Sequence, residues 1–416
     1  MTRQRWIRII PVALIMYTIS YVDRTNVSLA MDRKISTMLR DLVMDDRMKG
    51  MAAGIFFFGY FLLQMPGGYV AQRWSSKKLI SVCLVIWGVC AMSCGLVHSY
   101  RAFALARFCL GVAESSVFPA TMVLLTHWFP RSERVRASAL WCVCQPMAVV
   151  LSAPATGWVL QHYGWRVMLV AEGALPIIWL PIWWIFITDR PGQAKSLPAA
   201  EREFLEESVR QEVLLLEPIK PVSLLRGLMR RELAVMMFID TLYTGAAYGC
   251  MIFFTSVLKE RTFSGTQYGV LFAFPYLLTI GAMLLNSWHS DKTQERPGHV
   301  AIALGLSGAS LVLSVMARGH FWTSYAFMCL AIPGPFAVLG PFFAVPAETF
   351  PRSFLGPLLG IVNAVGNLGG FFGPYLVGWL SQMYHSTAVP FVFLGIGLMA
   401  AAVACKWLPT TPRTWD

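Results

Sequence analysis

Apolar runs of about 20 residues, the length that crosses a bilayer as a helix, recur along this chain between short polar segments. Twelve such spans are predicted, near 7–31, 48–71, 79–97, 101–127, 135–159, 167–188, 231–257, 266–288, 299–317, 321–345, 354–381 and 389–407. The pattern fixes the existence of these helices better than their ends. The long polar stretch, Thr188–Arg230, falls between spans 6 and 7. It opens with Asp189-Arg190-Pro191-Gly192 and carries a charged helical piece, Ala199–Glu212, read as a solvated linker.

The two sides of that linker repeat. Phe129-Pro130-Arg131-Ser132 follows span 4, and Phe350-Pro351-Arg352-Ser353 follows span 10, an offset of 221 residues. The same offset relates Gly157-Trp158 to Gly378-Trp379 at the ends of spans 5 and 11. The expected fold is therefore an all-α polytopic membrane protein of two pseudo-symmetric six-helix halves. Its N-terminal bundle is 1–188, its cytoplasmic linker 189–230 and its C-terminal bundle 231–416. Chains built from parallel repeats of this kind hold substrate near the bilayer midplane, between the halves.

Composition agrees with burial in lipid. Of the 416 residues 56% are hydrophobic and only 13% charged, with mean hydropathy +0.57, where soluble domains run nearer a quarter charged. The net charge of +12 is spread over short loops and is not clustered as a nucleic-acid footprint requires. With both termini inside, 22 Lys/Arg fall on the cytoplasmic side and 10 outside, and Arg24 and Arg107 lie within spans. That bias supports an orientation with both ends cytoplasmic. The first outer loop is an exception, with Arg33, Lys34, Arg40, Arg47 and Lys49 among four aspartates. The nine cysteines lack the paired spacing of a metal or redox site. No metal or cofactor is expected beyond a proton as coupling ion.

The informative residues are the charges inside the spans. Ionisable groups there are costly, face a bundle interior or cavity, and mark substrate or ion paths. Asp23 and Arg24 lie in span 1, and Arg107 and Glu114 in span 4. The span-4 pair is seven residues apart, hence on one helix face and roughly 10 Å apart along the axis. Each pair also has a structural reading: an ion pair locking span 4 to a neighbour, or permanent neutralisation of Asp23 by Arg24. A guanidinium in a cavity is a natural receptor for a carboxylate, which it grips bidentately. A carboxylate in the same cavity is a natural proton carrier. The four charges sum to zero when ionised. Protonating one acid leaves +1, which suits a monovalent anion and couples proton to anion. Gln145 in span 5 and the Asn363 and Asn367 stripe of span 11 can hydrogen-bond a substrate or another helix. Asp240 in span 7 is a further intramembrane acid, for gating or proton carriage.

These residues resemble the major facilitator superfamily, and more narrowly its anion:cation symporter family. That family includes bacterial sugar-acid and organic-acid importers, sialin and the vesicular glutamate transporters. The resemblance rests on Tyr21-Val22-Asp23-Arg24-Thr25-Asn26, on Arg107–Glu114 with Phe118-Pro119, and on Trp128-Phe129-Pro130-Arg131. Gly164-Trp165-Arg166, Ser290-Asp291-Lys292 and Asn363–Gly370 extend it along most of the chain. It implies that Arg24 binds the substrate carboxylate, that Asp23 and Glu114 carry protons, and that Arg107 tunes Glu114. It also implies that Tyr21, Tyr60, Gln145 and Asn363 line the site. Two positions depart from the family. The loop after span 2 has Gln72 and Ser75 where an acid and a second Gly are usual, so that latch is expected to be weak. Span 10 offers Phe342-Phe343, which with Phe56, Phe57 and Phe58 hints at a less hydroxylated or aromatic carboxylate facing Phe343.

The expectation is a proton-coupled symporter of a small organic anion in a bacterial inner membrane, monomeric, with no nucleic-acid partner and no enzymatic activity. An antiporter or uniporter using the same arginine is the alternative. A transport-like sensor or membrane enzyme is remote, since no HExxH or GxSxG motif is present.

Overall fold

Short polar caps set several helix starts. Asp45, Ser75, Ser99 and Ser264 each accept a hydrogen bond from the backbone N–H three residues on, opening spans 2, 3, 4 and 8. The computed structural model describes residues 4–130, 133, 137, 140–194, 197–215, 231–258, 263–349 and 352–409. Among them ten helices are long and apolar enough to cross a membrane. One of these, Leu140–Phe186, carries spans 5 and 6 together. A further 33-residue helix, Arg352–Tyr384, supplies span 11, so the chain has the twelve-helix architecture.

Spans 5 and 6 were expected to be joined by a short loop. They are joined by one residue, Gly164, at φ +80° and ψ 174°, a conformation that glycine adopts without a Cβ clash. Span 1 is interrupted at Asn26, and span 4 at Ser115-Ser116. The linker helix runs Ala199–Leu215 and is pinned to the bundle. Arg5, 4% exposed, bonds Glu201 at 2.6 Å and Glu133 at 2.7 Å. Arg131, Ser132, Phe350 and Pro351 of the repeated motif lie outside the described residues.

Span 2 packs along span 11, and span 5 along span 8. Both contacts are tight at the end of the bundle remote from the chain termini, called here the far end. A Cβ on Gly157 of span 5 would overlap the Gly265 carbonyl of span 8. One on Gly378 of span 11 would overlap the Asp46 carbonyl of span 2. One turn on, Gln161 Oε1 accepts from the Gly265 N–H at 2.6 Å, and Gln382 Nε2 donates to Asp45 at 3.1 Å. Gln161 and Gln382 are themselves 221 residues apart, so the repeat carries one latch twice. In the first loop Asp41 accepts from Thr37 at 2.6 Å and Trp165 at 2.9 Å. Those bonds hold its carboxyl below the usual range.

The other end is looser. Gln64 and Asn367 meet at 3.4 Å midway along spans 2 and 11. A Cβ on Gly360, two turns closer to the termini, would meet nothing within 4 Å. In the loop after span 2, Gln72 is exposed. Ser75 caps span 3 and donates to Asp189 at 2.5 Å.

Candidate functional site

Arg24, 3% exposed, sits on the face of span 1 that also carries Tyr17, Ser20 and Tyr21, all buried. Gly111 of span 4 brings span 2 close, since a Cβ there would overlap the Phe56 carbonyl. Span 2 therefore presents Phe56 and Tyr60 to the guanidinium. Four rings surround it, with centroids at 4.5 Å (Tyr60), 4.8 Å (Tyr21), 5.2 Å (Phe56) and 5.6 Å (Tyr17). A cation among aromatic faces in a desolvated site is attracted by their quadrupoles. The Tyr17 and Tyr60 hydroxyls lie 3.4 Å apart. Tyr248 of span 7, tilted against Phe57 at 4.2 Å, reaches Tyr21 and Arg24 from the other half.

The acid facing Arg24 is Glu114, fully buried. Arg24 donates to Glu114 Oε2 from Nε at 2.9 Å, and its Nη2 stands 2.8 Å from the same oxygen as the ion-pair contact. Ser20 donates to the same oxygen at 2.7 Å and accepts from Arg24 Nη2 at 3.1 Å. Two hydrogen bonds and an ion-pair contact thus converge on one oxygen, while Oε1 has no hydrogen-bond partner among the described residues.

Asp23 faces elsewhere. Successive helical side chains point about 100° apart, so Asp23 turns toward span 3, where Trp87 donates to its Oδ2 at 2.5 Å. Its backbone carbonyl accepts from Arg107 Nη1 at 3.3 Å. The Arg107 guanidinium lies over Phe56 at 4.8 Å. Of the charges paired by sequence proximity, Arg24 and Glu114 thus pair across the helices, while Arg107 bonds the Asp23 backbone. Asp23 forms no ion pair with Arg24, nor Arg107 with Glu114, among the described residues. The charge of Arg107 nonetheless acts on both acids.

Tyr21 and Tyr60 therefore meet at Arg24. Gln145 is half-buried beside Cys144, on the span whose Trp141 stacks on Tyr17 at 4.3 Å. Asn363 is half-buried on span 11, where its carbonyl accepts from Asn367 at 2.8 Å. Phe343 packs on Phe342 at 5.2 Å, which in turn meets Tyr243 at 5.6 Å. Tyr243 lies one turn from Asp240 on span 7, to which Thr244 donates at 3.1 Å. Sequence reasoning passed over Trp87 and Tyr248, which nothing marks within apolar runs. It also passed over Glu172 of span 6, an intramembrane acid that the rule for buried charges would have found. Among the described residues no cluster of three or more His, Cys, Asp or Glu is arranged to hold a metal ion.

Comparison with known proteins bears on this arrangement. The profile of the Major Facilitator Superfamily matches residues 13–356. A protein of Agrobacterium vitis described as a tartrate transporter is 29% identical, over 98% of this chain and 94% of its own length. A quinolone resistance transporter of Acinetobacter baumannii is 26% identical, over 94% and 91%. A protein of Escherichia coli K12 described as a galactarate/D-glucarate transporter is 24% identical, over 95% and 92%. Among solved structures, an inward-facing bacterial homologue of the lysosomal transporter Spinster superposes with TM-score 0.72. It has 15% identity and covers 98% of this chain and 96% of that one.

Proposed function

The chain belongs to the major facilitator superfamily, and from that premise we propose that it is a proton-coupled symporter importing a small organic anion. The superfamily makes it a multi-pass membrane transporter and not an enzyme. The substrate class is a carboxylate such as a hydroxy diacid, a sugar acid or an aromatic acid. The relatives described as carrying tartrate and galactarate or glucarate favour the first two.

One observation carries the reading: Glu114 occupies the bidentate face of Arg24. An internal carboxylate there stands where a substrate carboxylate would bind. Protonating Glu114 removes its charge and frees the guanidinium. Anion binding then becomes favourable only once a proton is aboard, and the anion in turn favours the protonated acid. Asp23, held by Trp87 and beside Arg107, is the second proton group. Arg107 offsets the charge at both acids. Tyr21, Tyr60, Gln145 and Asn363 orient the substrate, and Phe343 forms an apolar wall further out. No cofactor takes part.

The halves 1–188 and 231–416 rock about this site. With both termini cytoplasmic in a bacterial inner membrane, the far end is periplasmic, and its paired latches are the closed gate of an inward-facing state. The weak loop after span 2 favours that state. The protein acts as a monomer. The relative named for quinolone resistance supports a second reading, antiport of a carboxylate drug through the same arginine.

The test is uptake of tartrate into proteoliposomes under an imposed inward proton gradient. The wild type accumulates it uphill. Glu114→Gln keeps exchange at zero gradient and loses accumulation. Wild-type uptake indifferent to the gradient and to membrane potential would sink symport. Uphill accumulation by Glu114→Gln would remove Glu114 from the coupling.

A further inference from the structure

Glu172 of span 6 is a buried carboxyl to which the reading above gives no task. It is 9% exposed and lies eight residues past the Gly164 hinge. That spacing places it about 12 Å along the helix from the far end. Its Oε1 accepts from Asn26 Nδ2 at 2.6 Å and from Thr156 Oγ1 at 2.9 Å. Asn26 also donates to Thr156 at 2.6 Å and accepts from Ser152 at 3.1 Å. Glu172 Oε2 has no hydrogen-bond partner among the described residues.

An ionised carboxylate so placed would bury a full charge with one oxygen unsatisfied, a costly state. A proton on Oε2 removes the charge and leaves both bonds to Oε1 intact. Asn26, the residue holding Oε1, is one turn from Asp23 on span 1. Glu172 is near enough that its charge acts on Asp23. The count of charges changes as well. Asp23, Arg24, Arg107 and Glu114 sum to zero when ionised, and adding Glu172 makes −1. One resident proton restores neutrality.

We propose that Glu172 is a third proton-holding group of the N-terminal half, passing a proton between the far end and Asp23 while Asn26 and Thr156 fix its carboxyl. The inference rests on the proton-coupled reading of the Arg24 site. The groups around it come from several elements. Span 1 contributes Asn26, Asp23 and Arg24, and span 5 contributes Ser152 and Thr156. Span 3 packs on span 6 where Gly173 meets Ala91 and Met92, and Trp87, Arg107 and Glu114 act on Asp23. On span 6 itself the charged neighbour is Arg166, at the far end. Thr156 and Asn26 supply hydrogen bonds and no charge, so the proton on Glu172 answers to pH and to the state of Asp23.

The primary test needs no substrate. Infrared difference spectra of the full reconstituted chain, stepped in pH, report the C=O stretch of each buried acid that gains a proton. Glu172→Gln is expected to delete one titrating band that Glu114→Gln leaves in place. Glu172→Asp, which keeps the acid but shortens it, is expected to move the midpoint of that band. Spectra of both variants identical to wild type would overturn the assignment. If Glu172→Gln does not fold, an unmoved midpoint in Glu172→Asp overturns it alone. In the transport arm, tartrate is the probe and site couplings run to about 5–150-fold. Glu172→Gln should accumulate tartrate about tenfold less under a proton gradient, with exchange held within about twofold. Equal loss of exchange and accumulation, unrelieved by Glu172→Asp, would mark a structural role and overturn the proposal. A wild type indifferent to the gradient would instead defeat the symport reading, and the infrared band would still decide Glu172.

Discussion

At the register where span 4 carries Arg107 and Glu114, span 10 carries Met328 and Pro335. The two helices are 221 residues apart throughout, Tyr100–Trp128 against Phe321–Thr349. Met328 is fully buried, and its sulfur accepts from the Ser314 hydroxyl at 3.4 Å. Arg107 and Glu114 are as deeply buried yet charged. One scaffold position therefore tolerates an apolar residue in one half and a charge in the other. Packing alone does not require the charge. The latch positions behave in the opposite way. Gly157 and Gln161 recur as Gly378 and Gln382, and both copies close onto the start of the facing span. On the function proposed above, repeated positions carry the mechanics that both halves share, and unrepeated ones carry the chemistry.

The largest effect is expected where chemistry is unrepeated. Arg24→Ala removes the guanidinium from its four rings and leaves Glu114 buried without its cation. Truncating one member of a buried, hydrogen-bonded charge pair costs about 2–5 kcal/mol of affinity. Binding of tartrate, read by its thermal-shift stabilisation, should fall below detection. Arg24→Lys should restore a part, because an ammonium replaces the charge but not the bidentate fork. Undiminished stabilisation by tartrate in Arg24→Ala would place the anion elsewhere.

Much of this was legible in the chain. Twelve apolar runs gave the spans, and the offset of 221 gave the repeat. The rule that intramembrane charges are functional brought out Asp23, Arg24, Arg107 and Glu114. What the chain could not display was which neighbour each charge faces. Asp23 and Arg24 are adjacent in sequence but about 100° apart on the helix, and the packing of spans 3 and 4 decides their partners. Trp87 reads as one more apolar residue until its N–H is found on Asp23. Phe343 carries no mark of the side it faces; its neighbour Phe342 meets Tyr243. The turn at Gly164 was hidden because a single positive φ replaces a loop. Glu172 was readable by the same rule as the others.

A middle-sized effect is expected at the repeated latch. Gly157→Ala forces a methyl onto the Gly265 carbonyl, and Gly378→Ala forces one onto the Asp46 carbonyl. The obstructing atoms are backbone, so the spans themselves must part. Overpacking of this kind costs about 1–3 kcal/mol, comparable with the few kcal/mol that separate conformers of a two-state protein. Nitroxide labels at Arg40 and Thr266, one in each half at the far end, should report a longer distance in both variants, and by a similar amount. A change in one variant alone would show that the two latches are not equivalent.

The smallest effect is expected at the apolar counterpart of Arg107. Met328→Leu keeps the volume of a buried side chain, and such exchanges cost under about 1.5 kcal/mol. Proton-driven tartrate accumulation should then match the wild type, and the thermal midpoint should move only slightly. Arg107→Leu, the same side chain placed in the other half, should abolish accumulation while the protein still folds. The replacement removes a buried charge that is in no ion pair among the described residues and whose Nε has no partner there, so it should cost less stability than removing one member of a buried ion pair. If Met328→Leu damaged transport as severely as Arg107→Leu, the register would matter for packing in both halves. The division between shared mechanics and one-sided chemistry would then fail at the position that defines it.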